Sequence, residues 1–261
     1  MSLTEILIVS ALAVLAYVTA IWLLSLALRN ASIIDIFWGL GFVLLGSLYH
    51  TALDGYGARS VLITTLVIIW GLRLSGYILW RNRGKGEDYR YLRWRERAGE
   101  KFWWASFFRV FLLQGMLLWV ISMPLLAANN AAEPDEITAL DVIGTVVWAV
   151  GFFFEAVGDW QMARFRGNPA NEGTVMDRGL WRYTRHPNYF GDATQWWGFF
   201  IIAAGTTDGW ITVFSPLIMT FLLVRVSGAA LLERGLKKSK PGYAEYVKGT
   251  SGFVPWLPAK G

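Results

Sequence analysis

Cysteine is absent from the 261 residues, and histidine occurs only at His50 and His186. Disulfides, iron–sulfur clusters and thiol catalysis are therefore excluded. Two histidines are also too few for a multi-histidine metal site, so no metal is expected. Charge is scarce too: Asp, Glu, Lys and Arg make up 16% of the chain, against about 25% in soluble globular proteins. Apolar residues take their place, at 55% of the chain, with tryptophans near the ends of many apolar runs. This composition reads as an all-α polytopic membrane protein with aromatic anchors at the interfaces. The net charge of +5 is assigned to cytoplasmic loops, and no nucleic-acid binding is expected.

Crossing the hydrocarbon core takes about 20 apolar residues. Seven runs are expected to do so: 3–28, 33–50, 60–80, 105–128, 138–160, 191–206 and 210–232. The first is longer than a signal-peptide core and has no basic segment before it, so it reads as a span and not a cleaved leader. Gly191, Gly198 and Gly205 in the sixth suggest close helix packing. Basic residues concentrate in 81–104, 161–190 and 233–261, whereas the segment 129–137 holds Glu133, Asp135, Glu136 and no base. Seven spans put every basic segment on one side. The positive-inside rule then places the N-terminus outside and the C-terminus in the cytoplasm. The chain reads as a single domain, 1–261, whose three basic loops lie over the cytoplasmic mouth of a helical bundle. The membrane expected is the bacterial inner membrane.

The densest chemistry is at 181–192, Trp-Arg-Tyr-Thr-Arg-His-Pro-Asn-Tyr-Phe-Gly-Asp. Polar groups this close to hydrocarbon are costly unless they serve a site. Five arginines, Arg164, Arg166, Arg178, Arg182 and Arg185, fall within 22 positions, and guanidinium forks match phosphate oxygens. Lipid headgroups would also take such arginines, but would not require the interleaved Asp159, Gln161, Asn188 and Asp192. Tyr183 and the tryptophans offer faces for an adenine or nicotinamide ring. His186 reads as a ligand contact or proton carrier, or alternatively as a cap; His50, alone at the end of the second run, reads as structural. Arg225 lies inside the seventh run and is costly there unless paired or wetted; Asp159, Asp192 and Glu233 are its candidate partners.

Arg73 and Tyr77 share a helix face, and Asn82-Arg83-Gly84-Lys85-Gly86 follows, with glycines that let backbone approach a phosphate. Tyr77 reads either as a proton donor to a substrate oxygen or as an interfacial tyrosine. Asp35, opening the second run, reads as a helix N-terminal carboxylate or a substrate-pocket residue. Tyr243 and Tyr246 in the tail either pack or touch a cofactor.

Taken together, Asp35-x-x-Trp38-Gly39, Trp70-Gly71-Leu72-Arg73-Leu74, Asn82 to Gly86, Asp159-Trp160-Gln161, Arg185-His186-Pro187-Asn188-Tyr189-x-Gly191-Asp192 and the Tyr243/Tyr246 tail resemble the bacterial DUF1295 proteins. Those lie within the steroid 5α-reductase and sterol reductase superfamily. The resemblance implies a helical bundle that binds NADPH from the cytoplasmic side. It also implies that Arg73, Tyr77, Asn82-Arg83-Gly84, Asp159, Arg166, Asn188, Asp192 and Arg225 hold NADPH or shape its pocket. To these the residue reading adds Arg178, Tyr183, Arg185, His186, Tyr189, Tyr243 and Tyr246. The Gln-Glu pair with which steroid 5α-reductases polarise the ketone is missing, and the place of their tyrosine falls at Trp70, so steroid specificity is not implied. The same tail pattern resembles isoprenylcysteine carboxyl methyltransferases and phospholipid methyltransferases, which use S-adenosylmethionine. The number of arginines favours NADPH. The expected activity is reduction of a carbon–carbon double bond conjugated to a carbonyl, in a lipophilic substrate drawn from the lipid, with Tyr77 or Asp35 as the catalytic donor. A membrane methyltransferase is the alternative, and a non-enzymatic scaffold a third.

Overall fold

The computed structural model describes residues 1–226, 233 and 240–258. The end of the seventh expected span, 227–232, and the tail segments 234–239 and 259–261 lie outside the described residues. The described residues form helices joined by loops, without a strand. Six segments are long and apolar enough to cross a membrane: Leu3–Leu28, Ala31–Ala52, Gly57–Asn82, Tyr89–Asn130, Ala139–Arg166 and Gly209–Val226. The expected single domain is built as two compact units, Met1–Thr138 with Thr206–Thr212, and Ala139–Gly205 with Val213–Gly261.

In the first unit α1 (Leu3–Leu28) opens on a capping box: the Ser2 hydroxyl accepts from the Glu5 amide, and the Glu5 carboxylate accepts from the Ser2 amide. Arg29 ends it in the left-handed region, φ 50°. Asn30 then accepts from the Ser32 amide and turns the chain into α2 (Ile34–Ala52). α2 packs on α3 (Gly57–Asn82) where Gly39 meets Gly71; a Cβ on either would stand 2.6 Å from the other's carbonyl oxygen. Trp70 is fully buried there, against Phe42.

The stretch Tyr89–Asn130 has 42 residues, about 63 Å at 1.5 Å per residue, far more than one crossing needs. It is segmented. α4 (Tyr89–Ala98) is amphipathic and carries four arginines. A 3₁₀ turn at Gly99–Lys101 separates it from α5 (Phe102–Ser106), a π-helical stretch Phe107–Leu112, α6 (Leu113–Ile121) and α7 (Met123–Asn130). The span expected at 105–128 is the apolar part of this run.

In the second unit α8 (Ala139–Arg166) pairs with α9 (Pro187–Ala204). Glycine makes the seam. A Cβ on Gly144 would lie 2.7 Å from the Gly198 carbonyl oxygen, one on Gly151 2.6 Å from that of Gly191, and one on Gly158 3.1 Å from the Pro187 ring. The close packing expected of Gly191 and Gly198 is therefore present. α9 differs from the sixth expected span in two ways. It begins four residues earlier, at Pro187, a residue preset for the first helical turn. It is also not among the six segments apolar enough to cross, because Asn188, Asp192 and Gln195 dilute it. α10 (Phe214–Phe221) and a π-helical turn Leu222–Val226 follow, and α11 (Tyr243–Gly249) ends the helical part of the tail.

Candidate functional site

The second unit gathers most of the expected site residues. At the start of α9, Arg185 Nε donates to Glu233 Oε1 at 2.8 Å, and His186 Nε2 meets the same oxygen at 3.1 Å. These two contacts, His186 first, hold the Glu233 carboxyl at about 2, well below the usual range. Arg185 also donates to the carbonyls of Thr250 (2.6 Å) and Val247 (3.3 Å). The backbone around it is laced to the tail. The Arg185 amide donates to the Ser251 carbonyl, the Trp256 amide to the Tyr183 carbonyl, and the Thr184 hydroxyl to the Phe253 carbonyl. His186 is buried and stacks on Tyr189 at 5.6 Å. The Tyr246 hydroxyl donates to the Trp181 carbonyl. Burial, reinforced by the Glu233 charge, pushes the Tyr243 hydroxyl up to about 12. Arg185, His186, Tyr243 and Tyr246 thus form a buttress that fastens the tail to the α9 entrance, and Tyr183 remains exposed beside it.

One turn along the α8–α9 seam, Asn188 Nδ2 donates to Asp159 Oδ1 at 3.0 Å. Deeper in the seam, Gln195 Nε2 donates to Glu155 Oε2 at 2.6 Å. Glu155 and Gln195 are both buried and were not anticipated, although an acid inside an apolar run is a signal in itself. Asp192 is buried between these pairs on α9. The seam thus presents a file of carboxylate and amide groups on an otherwise apolar surface, suited to ligand hydroxyls and amides.

Beyond the α8 terminus the loop folds on Phe165, Met176 and Trp181. Trp181 Nε1 donates to the Gly158 carbonyl, and Gln161 Oε1 accepts from the Leu180 amide, which accounts for the glutamine of the Asp159-Trp160-Gln161 motif. The Phe165 ring has the Arg178 guanidinium and the Lys240 ammonium each 5.8 Å from its centroid. Lys240 is held below its ordinary value by burial and then by the nearby Arg166 charge. Arg166, Arg178 and Lys240 make no ion pair with another described residue. Lys240 is a further residue that the sequence did not single out.

Arg225 was expected to be paired or wetted. It lies in the π-helical turn Leu222–Val226, is exposed, and makes no ion pair among the described residues. Of its expected partners, Glu233 is taken by Arg185 and His186, and Asp159 by Asn188. The π-helical turn gives its side chain a register different from that of a regular α-helix.

In the first unit, the guanidinium groups of Arg73 and Arg81 lie 5.6 and 5.7 Å from the centroid of the Tyr77 ring, the shared face expected of Arg73 and Tyr77. Asp35 Oδ1 accepts from the Tyr91 hydroxyl (2.7 Å), and Oδ2 from Arg90 (2.9 Å); Gln114 donates to the same Tyr91 hydroxyl at 3.4 Å. Tyr91, Arg90 and Gln114 went unnoticed because they lie far from Asp35 in sequence. Asn82 and Arg83 line a small cavity at the end of α3.

The fold and these groups define an all-helical integral membrane protein with an arginine-rich corner at the base of two glycine-packed helices. The chain belongs to the DUF1295 family, described as proteins of unknown function, whose model matches residues 21–250. It is similar to an uncharacterized protein of Schizosaccharomyces pombe, 24% identical over 91% of this chain and 76% of the relative. No solved structure matches the chain significantly.

Proposed function

We propose that this protein is an NADPH-dependent membrane reductase of a carbon–carbon double bond conjugated to a carbonyl, acting on a lipophilic substrate. In a bacterial host its membrane would be the inner one. The observation that carries the reading is the set Arg166, Arg178 and Lys240, without ion-pair partners among the described residues, in the same compact unit as the carboxylate–amide seam. Phosphates need the first and ribose hydroxyls or a carboxamide the second. The resemblance to the steroid 5α-reductase superfamily points the same way and adds Arg73 and Arg225 as phosphate or pocket residues. When bound, the cofactor supplies a hydride. The chain must then stabilise charge on the substrate oxygen. Asp35, already accepting from Arg90 and Tyr91, holds those two side chains and is not assigned the donor's role.

One feature favours a second reading. The buried Glu155, Asp159 and Asp192 would also suit a sulfonium cation, as in an S-adenosylmethionine-dependent methyltransferase. Calorimetric titration of the detergent-purified protein separates the two. The expected result is saturable NADPH binding, none for S-adenosylmethionine, and at least a tenfold loss of NADPH affinity in Arg166→Gln. Binding of S-adenosylmethionine alone would move the protein to the methyltransferases.

A further inference from the structure

The turn after α3 has the sequence Asn82-Arg83-Gly84-Lys85-Gly86, with Gly84 at φ 74°, a conformation that side chains with a Cβ rarely adopt. The Arg83 amide donates to the Trp80 carbonyl and the Lys85 amide to the Asn82 carbonyl. The next two residues pin the turn to the α1–α2 connection. Glu87 accepts from the Ala31 amide at 2.6 Å and from Arg95 at 2.8 and 2.9 Å, and the Asp88 amide donates to Ser32 Oγ at 3.2 Å. The acids that follow the turn are therefore occupied, Glu87 by these contacts and Asp88 by the Arg90 guanidinium at 2.9 Å.

Under this turn is a cavity of about 80 Å³. Its polar lining is Asn30, Ser32, Asn82, Arg83, Lys85 and Gly86, and its apolar lining is Ile33, Ile36 and Leu79. No acid lines it, and both charged residues are cations. Pockets for drug-sized ligands run to about 300–1,000 Å³; this one has room for a phosphate-sized group and not for a dinucleotide. The apolar side belongs to two segments apolar enough to span a membrane, and Leu79 is 56% exposed. A nucleotide has nothing to lay along such a surface, whereas a lipid has an acyl chain. Basic pockets between membrane helices are suited to anionic headgroups.

We propose that this cavity binds the headgroup phosphate of an anionic phospholipid from the surrounding bilayer, held by Arg83 and Lys85, with an acyl chain along Ile33, Ile36 and Leu79. The test uses the full chain in detergent, stripped of lipid and then given dioleoylphosphatidylglycerol or dioleoylphosphatidylcholine. Retained lipid is counted by native mass spectrometry. One phosphatidylglycerol per chain is expected, at least tenfold preferred over phosphatidylcholine. Arg83→Gln/Lys85→Gln should lose it, and so should Ile36→Trp, which fills the cavity and keeps its charge. Arg93→Gln/Arg97→Gln removes two exposed cations of α4 outside the cavity and should retain the lipid. Should the double variant at 83 and 85 fail to fold, Ile36→Trp and the α4 control carry the test. Equal retention of both lipids, or equal loss in the α4 variant, would overturn the site in favour of general surface attraction. Displacement of phosphatidylglycerol by NADPH would overturn it too, by giving the cavity to a nucleotide phosphate.

Discussion

Glu233 carries the α9 entrance because one carboxylate oxygen serves both Arg185 and His186. Its carboxyl titrates near 2 in the folded protein, against an ordinary 4.5. A depressed carboxylate stabilises the fold above its unfolded value, and that contribution drains away as pH falls from about 4.5 towards 2. Glu233→Gln should therefore unfold at a lower temperature than wild type at pH 7. The gap should narrow progressively below pH 4.5 when melting is followed by tryptophan fluorescence. A gap independent of pH would mean that the ion pair contributes nothing. This corner was partly legible: Arg185, His186 and Tyr246 stood out by type and spacing, whereas Glu233 was one of three candidate partners for Arg225, beside Asp159 and Asp192. Arg225 lies in the π-helical turn Leu222–Val226, whose side-chain register differs from that of a regular α-helix. Glu155 with Gln195 and Asp35 with Tyr91 escaped for another reason: their partners come from other helices, and tertiary pairing is not written in local spacing.

Among the elements, α8 and α9 show how a spacing becomes a contact. Gly144, Gly151 and Gly158 recur every seven residues on α8, as do Gly191 and Gly198 on α9. Each repeat brings glycine to the same helix face after two turns, so backbone meets backbone along the whole seam. The α9 glycines were read correctly from sequence; their α8 counterparts were not, because apolarity drew attention to length instead. Gly151→Ala places a methyl 2.6 Å from the Gly191 carbonyl oxygen and 2.7 Å from the Gln195 amide nitrogen, neither of which can rotate away. It should cost about 1–3 kcal/mol, the range for overpacking, and disturb the Glu155–Gln195 pair. Gly76→Ala on α3 meets nothing within 4 Å and should stabilise by up to about 1 kcal/mol through helix propensity. Opposite shifts in Tm for the two variants are the expected result; equal shifts would remove the seam as an explanation.

For the whole molecule, helix content and most span positions were legible because apolar runs of this length leave the chain few alternatives. The count was harder. α9 keeps helical geometry while carrying Asn188, Asp192 and Gln195, so hydropathy drops it from the six segments that qualify, although charge distribution had required it. If α9 crosses, the acidic segment 131–137 and the basic tail lie on opposite sides; if it does not, both lie outside and the positive-inside rule fails for the tail. The absence of cysteine makes this directly measurable. Asp135→Cys and Lys248→Cys each introduce the only thiol in the chain, at exposed positions. In intact cells a membrane-impermeant maleimide should label position 135 and spare position 248 until the membrane is opened. Labelling of both in intact cells would take α9 out of the bilayer. It would also leave Arg185 and His186 on the cytoplasmic side and Glu233 on the other, against the 2.8 and 3.1 Å contacts that join them, and so would count against both the seven-span topology and the seating of the tail on the α9 entrance.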